Sequence, residues 1–267
     1  MYRSYWGLRE SPFRGSLVMQ LFQQSPTHEE ALARLHFLVD NHLRLGLLMG
    51  PSGSGKSLVM EAFAAQMQRR GLPVVKINLL GLEPSEMLWN MAADLKLNPD
   101  TSASTACLWR MTVDRLTEFR YQHLATVVLL DDADSANQQV LAQVARLARY
   151  DCSPESHMTL VLAGQSEKMK HIGDELLELV QLRIDLEPWN PSDTEHYLKS
   201  SLAEAGSKAP VFSQSAIDRL HELTRGIPRR VSQLADLALL AGAGQNLPQI
   251  DAELVVSVYH ELGAVEA

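Results

Sequence analysis

Gly50-Pro51-Ser52-Gly53-Ser54-Gly55-Lys56-Ser57, with Leu58 after it, matches G-x-x-x-x-G-K-[S/T] at every fixed position. A short apolar run, Leu45-Gly46-Leu47-Leu48-Met49, stands before it, and a helical pattern runs from Ser57 to Arg70. Strand, glycine turn and helix in that order make a cradle for phosphate. Successive amides of the turn point inward at the anion, and the helix adds its positive N-terminus. Lys56 brings a full positive charge to the β- and γ-phosphates, and the Ser57 hydroxyl suits Mg²⁺. Gly53 and Gly55 supply backbone angles and a close approach that a Cβ would block.

Downstream, strand-like and helix-like stretches alternate. Val74–Leu79, Thr126–Leu130, Thr159–Ala163 and Leu182–Leu186 read as strands. Helical patterns fill 85–96, 104–122, 138–149 and 167–180 between them. Apolar strands joined by helices predict a parallel sheet covered on both faces. Upstream, Thr27 with Glu30 reads as a capping box before Ala31, Leu32, Leu35, Leu38 and Val39 on one helix face. The opening segment carries Tyr2, Tyr5, Trp6, Phe13 and Phe22 around Pro12, without periodicity, and reads as an arm lying on another surface.

Beyond Pro188-Trp189-Asn190-Pro191 every segment reads as helix. Ser192 with Glu195 is a second capping box, Ser213 starts a helix that Gly226 stops, Pro228 suits a first turn, and Asp251 caps the last helix. The predicted organisation is an arm at 1–26, an α/β core at 27–187 and an all-helical lid at 188–267.

A phosphate site of this kind needs an acid for its metal. Val127-Val128-Leu129-Leu130-Asp131-Asp132 is an apolar strand that ends in paired acids. Asp131 suits Mg²⁺, and Asp132 is the candidate base for the attacking water. A further strand is expected between the loop strand and the Asp131 strand. No Asn-Lys-x-Asp motif occurs, which argues for ATP or ADP over GTP. Gln165 follows Gly164 at a strand end, placed to hold the attacking water or the γ-phosphate. Arg229 and Arg230 open a helix in the lid, and Arg229 is the candidate γ-phosphate contact. Arg183 stands on the last strand, either as an arginine finger into a neighbouring subunit or in a surface ion pair.

Across 267 residues, 24 Lys+Arg stand against 32 Asp+Glu, a formal charge of −8. That balance disfavours broad nucleic-acid binding, leaving Arg69, Arg70, Arg110, Arg115 and Arg120 as candidates for a local basic face. Hydrophobic residues make up 46% and charged residues 21%, which excludes a disordered chain. No apolar run approaches the ~20 residues of a membrane span, and the opening Met1–Trp6 lacks a secretory signal. Two cysteines, Cys107 and Cys152, make no disulfide framework and read as structural thiols of a reduced cytoplasm. His221-Glu222 and His260-Glu261 lack the second His of a zinc motif. Met87, Leu88, Trp89 and Met91 read as core or a subunit contact.

Taken together, these motifs resemble an AAA+ ATPase of the ExeA-like (general secretion pathway protein A) group, related to ATPases that regulate some transposons. The resemblance runs through Tyr5-Trp6-Gly7-Leu8-Arg9-Glu10-Ser11-Pro12-Phe13, His28–Leu32, the phosphate loop, Leu130–Ala133, Ala163-Gly164-Gln165, Leu182-Arg183-Ile184 and Gly226–Arg230. It implies a P-loop NTPase three-layer sandwich of the additional-strand type followed by a small all-α lid. It implies an Mg²⁺-dependent ATPase whose arm and lid enclose the adenine, so that Pro12 and Phe13 touch the base or simply pack. Asp132 stands where that group has Glu. The membrane segment and cell-wall-binding module of full secretion proteins do not occur, so a role at the envelope does not carry over. The leading expectation is a nucleotide-dependent homo-oligomer acting on a protein partner, without direct membrane insertion. A DNA-bound regulator and a nucleotide-gated scaffold with weak hydrolysis are the alternatives.

Overall fold

The computed structural model describes residues 2–13, 25–151, 153, 156–207 and 209–263. Phe22, Cys152 and residues 14–24 of the arm lie outside them. In chain order the elements are α1 (Tyr2–Tyr5), α2 (Pro26–Asp40), β1 (Leu45–Gly50), α3 (Lys56–Arg69), β2 (Val74–Asn78), α4 (Pro84–Asp94) and α5 (Thr105–Tyr121). They continue with β3 (Thr126–Asp131), α6 (Gln138–Arg149), β4 (Met158–Gln165), α7 (Asp174–Leu177), β5 (Leu182–Asp185), α8 (Pro191–Glu204), α9 (Gln214–Thr224), α10 (Pro228–Gly244) and α11 (Ala252–Gly263). Two compact units result. One holds residues 28–51 and 56–186; the other holds the described residues up to Thr27, Ser52–Gly55, and those from Glu187 onward.

The first of these is built on a five-stranded sheet in the order β2-β3-β4-β1-β5, with every ladder parallel. The strand that stands between β1 and β3 is β4, not the Val74–Asn78 strand that the sequence order suggested. The strand that falls between them in sequence, β2, lies at the sheet edge. Burial follows position. All six residues of β1 are buried, as are the first five of β3 and the first seven of β4. Edge strand β2 alternates instead, with Val75 and Ile77 inside and Lys76 outside. A one-residue slip of β2 would expose both aliphatic side chains, at about 1.5–3 kcal/mol each, so its register is set by burial.

Local chemistry moves several expected boundaries. Pro26 takes the first turn of α2, so Thr27 lies inside the helix rather than at its cap. Pro191 does the same for α8, and the capping box there is Asn190 with Asp193, not Ser192 with Glu195. The predicted helix over 167–180 divides into a 3-10 helix, Ser166–Ile172, and α7, because Gly173 takes a φ of 85° between them. Ser213 and Asp251 cap α9 and α11 as read, accepting from the Ala216 and Leu254 amides.

In the second unit α8–α11 pack around Leu198, Leu220, Val231, Leu234, Leu239 and Val255. The arm belongs to this core. Leu8 and Phe13 are buried in it, and the Trp6 indole donates to the Leu239 carbonyl at 2.9 Å. Tyr2 donates to Asp236 at 2.6 Å, with the Ser11 hydroxyl on the same carboxylate oxygen. One apolar surface and several directed bonds hold a segment with almost no secondary structure of its own.

Candidate functional site

The glycine loop leaves β1 at Gly50 and enters α3 at Lys56. Gly53 and Gly55 hold φ angles of 84° and 100°, which side-chain-bearing residues rarely adopt. An added Cβ on Gly53 would also lie 2.9 Å from Arg229 Cβ. Lys56 is buried, and its Nζ donates to the carbonyls of Gly50 at 2.9 Å and Pro51 at 3.0 Å. Two neutral carbonyls thus fix the stem and head of this lysine. Leu58 is half-buried in the first turn of α3.

Register carries the other groups to the same edge. Gly50 pairs with Gln165, and Leu130 pairs with Leu162 one position before Asp131. Parallel strands all end on one side, so loop, acids and glutamine emerge together. The Ser57 hydroxyl lies near enough to the Asp131 carboxylate to favour its charged form. Burial pushes the Asp131 carboxyl above its ordinary value, the Asp132 charge adds to that, and the Ser57 hydroxyl, the Asp132 amide and Lys56 oppose it. A hydroxyl and a carboxylate sharing one place are hard oxygen donors, the set that fits Mg²⁺ completed by phosphate oxygens and water.

Asp132 follows with φ 52° and ψ 38°, a left-handed conformation, and its amide donates to Asp131 Oδ1 at 2.9 Å. Its own carboxylate accepts from Asn78 Nδ2 at 2.7 Å. Asn78 was not among the predicted residues. It ends β2 directly beside Asp131 in the ladder, and its Oδ1 accepts the Leu80 amide at 2.8 Å. One side chain therefore ties Asp132 to the loop after β2. The only trace in the sequence is a polar residue closing an apolar strand.

The remaining predicted residues fall elsewhere. The Arg183 guanidinium is 63% exposed and bound side-on by Asp185 of its own strand, Nε to Oδ2 at 2.9 Å and Nη2 to Oδ1 at 3.1 Å. Within a single chain this arginine therefore makes an ion pair. In the helical unit the Arg229 amide donates to the Gly53 carbonyl at 3.2 Å, which sets Arg229 rather than Arg230 against the loop segment of that unit. Pro12 and Phe13 are buried, with Phe13 against Tyr197 and Phe212 at ring separations of 5.9 and 6.4 Å, so the Phe13 side chain packs. Met87, Leu88 and Met91 are fully buried core, with Trp89 packed on them. Cys107 is exposed near the start of α5, not the structural thiol expected, because that helix turns Leu108, Thr112 and Leu116 inward.

Comparison with known proteins agrees with this geometry. A family model described as an AAA domain matches residues 39–172, half of the chain. The chain is 29% identical over 245 residues to general secretion pathway protein A of Aeromonas hydrophila, covering 90% of this chain and 45% of that protein. Among solved structures it resembles Cdc6p of Pyrobaculum aerophilum (TM-score 0.72, 19% identity, 90% of this chain and 67% of that one). It also resembles the Orc1 protein of Aeropyrum pernix in complex with DNA (0.67, 19%, 92% and 68%) and the RuvB branch migration motor of Thermotoga maritima (0.61, 15%, 95% and 74%). At such identities these structures speak for the fold alone. A parallel sheet with the glycine loop, its acids across an intervening strand, and a family match over residues 39–172 place this chain in the AAA domain family of P-loop nucleotide-binding proteins.

Proposed function

We propose that the chain is an ATP-driven switch that binds and hydrolyses ATP with Mg²⁺, associates with copies of itself and acts on a protein partner. One observation carries the reading: the Asp131 carboxyl, buried beside Ser57 and Lys56, with that lysine already seated in the glycine loop. The amides of Ser52–Gly55 grip the phosphates, and Lys56 exchanges its two carbonyls for phosphate oxygens. Ser57 and Asp131 would hold Mg²⁺, which would supply charge neutralisation at the phosphates. Asp132 accepts the proton of the attacking water, and Gln165 orients that water or contacts the γ-phosphate. Arg229, anchored through its amide, reads the γ-phosphate, and Arg183 serves a neighbouring copy. The functional parts are the arm at 1–26, the core at 27–187 and the lid at 188–267, with Pro12 of the arm toward the base and Phe13 packed behind it.

A protein partner in secretion or export rests on the likeness to general secretion pathway protein A, of which the chain spans 45%. Nucleic acid is not favoured. Arg70, Arg110, Arg115 and Arg120 each pair with an acid, Asp40, Asp114, Glu118 and Asp151 in turn, on a chain of net charge −8. Cytoplasmic residence without membrane insertion belongs to the same proposal; among the described residues no helix is long and apolar enough to cross a membrane.

The test is ATP turnover per subunit against protein concentration, with Arg183→Ala beside it. A rising rate that Arg183→Ala flattens is expected. A flat rate in the parent chain overturns the shared site, and no heat on mixing with Mg-ATP overturns the whole reading. Retention on duplex DNA at low salt would bring back the DNA-bound regulator. A second reading, a scaffold gated by nucleotide with weak hydrolysis, is favoured by one feature: Asp132 is short, left-handed and held by Asn78.

A further inference from the structure

Asp134 lies in the 3-10 turn Ala133–Ser135, directly after the paired acids, and is only 5% exposed. Among the described residues neither of its carboxyl oxygens has a hydrogen-bond partner. A buried carboxyl without a donor costs stability, so a gain in stability does not account for it. Its position is specific. A Cβ built on Gly164 would lie 2.6 Å from Asp134 Oδ1 and 3.1 Å from Asp134 Cβ, with Met169 Cε at 2.9 Å.

Gly164 immediately precedes Gln165. The β3–β4 ladder stops at the Leu130–Leu162 pair, whereas the β1–β4 ladder continues to Gly50–Gln165. The last three residues of β4 are therefore laddered on one flank only. On this stretch the Asp134 carboxyl presses against the Gly164 backbone, filling the space a side chain there would take. Gln165 makes no capping bond of its own at the start of the 3-10 helix that follows. The strand end that carries it is thus seated by one ladder and by contact with the turn that follows Asp132.

We propose that Asp134 is a positioning residue for Gln165. Its carboxyl, wedged on Gly164, passes the placement of the Asp131–Asp132 turn to the glutamine. Shape does this rather than charge. The inference rests on the reading of Gln165 given above.

The test uses the full chain and steady-state ATP hydrolysis. Asp134→Ala is expected to lower kcat about tenfold with KM for ATP unchanged, the pattern of a group that matters only in the transition state. Asp134→Asn keeps the shape and stays within about twofold in kcat. In a Gln165→Ala background, Asp134→Ala adds nothing further, whereas an independent structural role would multiply the two losses. Gly164→Ala lowers kcat in the parent, and Asp134→Ala restores part of it by removing the atoms that the new methyl strikes. Multiplying losses, or an Asn variant as slow as Ala, overturns the proposal. If Gln165→Ala is slow while Asp134→Ala hydrolyses normally, only this inference fails. If Gln165→Ala hydrolyses normally, the reading of Gln165 fails, and the inference with it.

Discussion

The two edges of the central sheet contain similar residues and treat them in opposite ways. Where the strands begin, the Arg44 guanidinium donates to the carbonyls of Ala148, Tyr150 and Asp151 at 3.2, 2.9 and 2.6 Å. Arg120 meets Asp151 at 2.8 Å with both side chains mostly covered, and Thr159 donates to Leu43. Where the strands end, Asp131 is held above its ordinary pKa, Asp132 rests on Asn78, and Asp134 has no described partner. Left-handed residues do not separate the two. His42, His123 and Asp151 follow helices at the first edge, with φ angles of 55°, 54° and 52°, beside the 52° of Asp132 at the second. The first three end helices, an ordinary use of that conformation. The difference lies in a buried acid raised in pKa and a second one without a described hydrogen-bond partner.

Asp131→Asn should break this comparison most sharply. Burial raises the native pKa, so between the ordinary and the raised value the native state holds more protons than the unfolded chain. Stability then falls as pH rises through that window. The Asn variant should melt higher than the parent at neutral pH, lose that slope, and hydrolyse Mg-ATP roughly 1,000-fold more slowly through loss of the metal's contribution. Melting curves from pH 4 to 8 together with turnover decide it. A variant that is less stable at neutral pH would place the strain elsewhere. Arg44→Ala tests the opposite edge. Three carbonyls lose a charged donor, and a loss of about 3 kcal/mol in urea unfolding is expected with ATP affinity unchanged. Altered affinity would mean that the two edges communicate.

The legible parts of the site were contiguous in the chain. The glycine loop and the Asp131-Asp132 pair lie within single short stretches whose local pattern dictates both conformation and chemistry. Asn78 and Asp134 were not legible as functional, because each acquires its neighbour from sheet register or from a turn meeting a strand end. The position of β4 between β1 and β3 is equally non-local; only the need for an extra strand could be read. Helix starts shifted by a residue or two where proline claimed the first turn at Pro26 and Pro191. Phe13 shows the limit of analogy: an aromatic in a recognised motif fits base contact and packing equally until its neighbours are known.

A smaller effect sharpens the meaning of the Asn78 bond. Asp132 Oδ2 accepts from Asn78 at 2.7 Å, and the side chain is one methylene shorter than Glu. Asp132→Glu should raise turnover about threefold to fivefold by bringing the carboxylate nearer to the water it must deprotonate. Asn78→Ala should raise basal turnover by less, because it frees the base without lengthening it. Single-turnover rates at saturating ATP separate chemistry from binding. A fall in both variants would mean that Asn78 orients Asp132 for reaction instead of withholding it.

The smallest expected effect lies at the first edge, where His42 and His157 stack with ring centroids 3.8 Å apart and planes 11° from parallel. Burial lowers the pKa of His157, and the charges of His42 and His123 lower it further. For a base depressed in this way the unfolded chain binds the proton more readily. The native state therefore loses stability as pH falls below the ordinary histidine range, and the loss is complete once pH is below the depressed value. His157 is only partly covered, so solvent screens the repulsion and the effect is small. His157→Gln should raise the melting temperature at pH 5.5 by about 1–2 °C and leave it unchanged at pH 8, where the His157 ring is neutral in the parent. A shift of equal size at both pH values would assign the effect to packing of the stack, and the contrast between the two edges would then rest on the carboxylates alone.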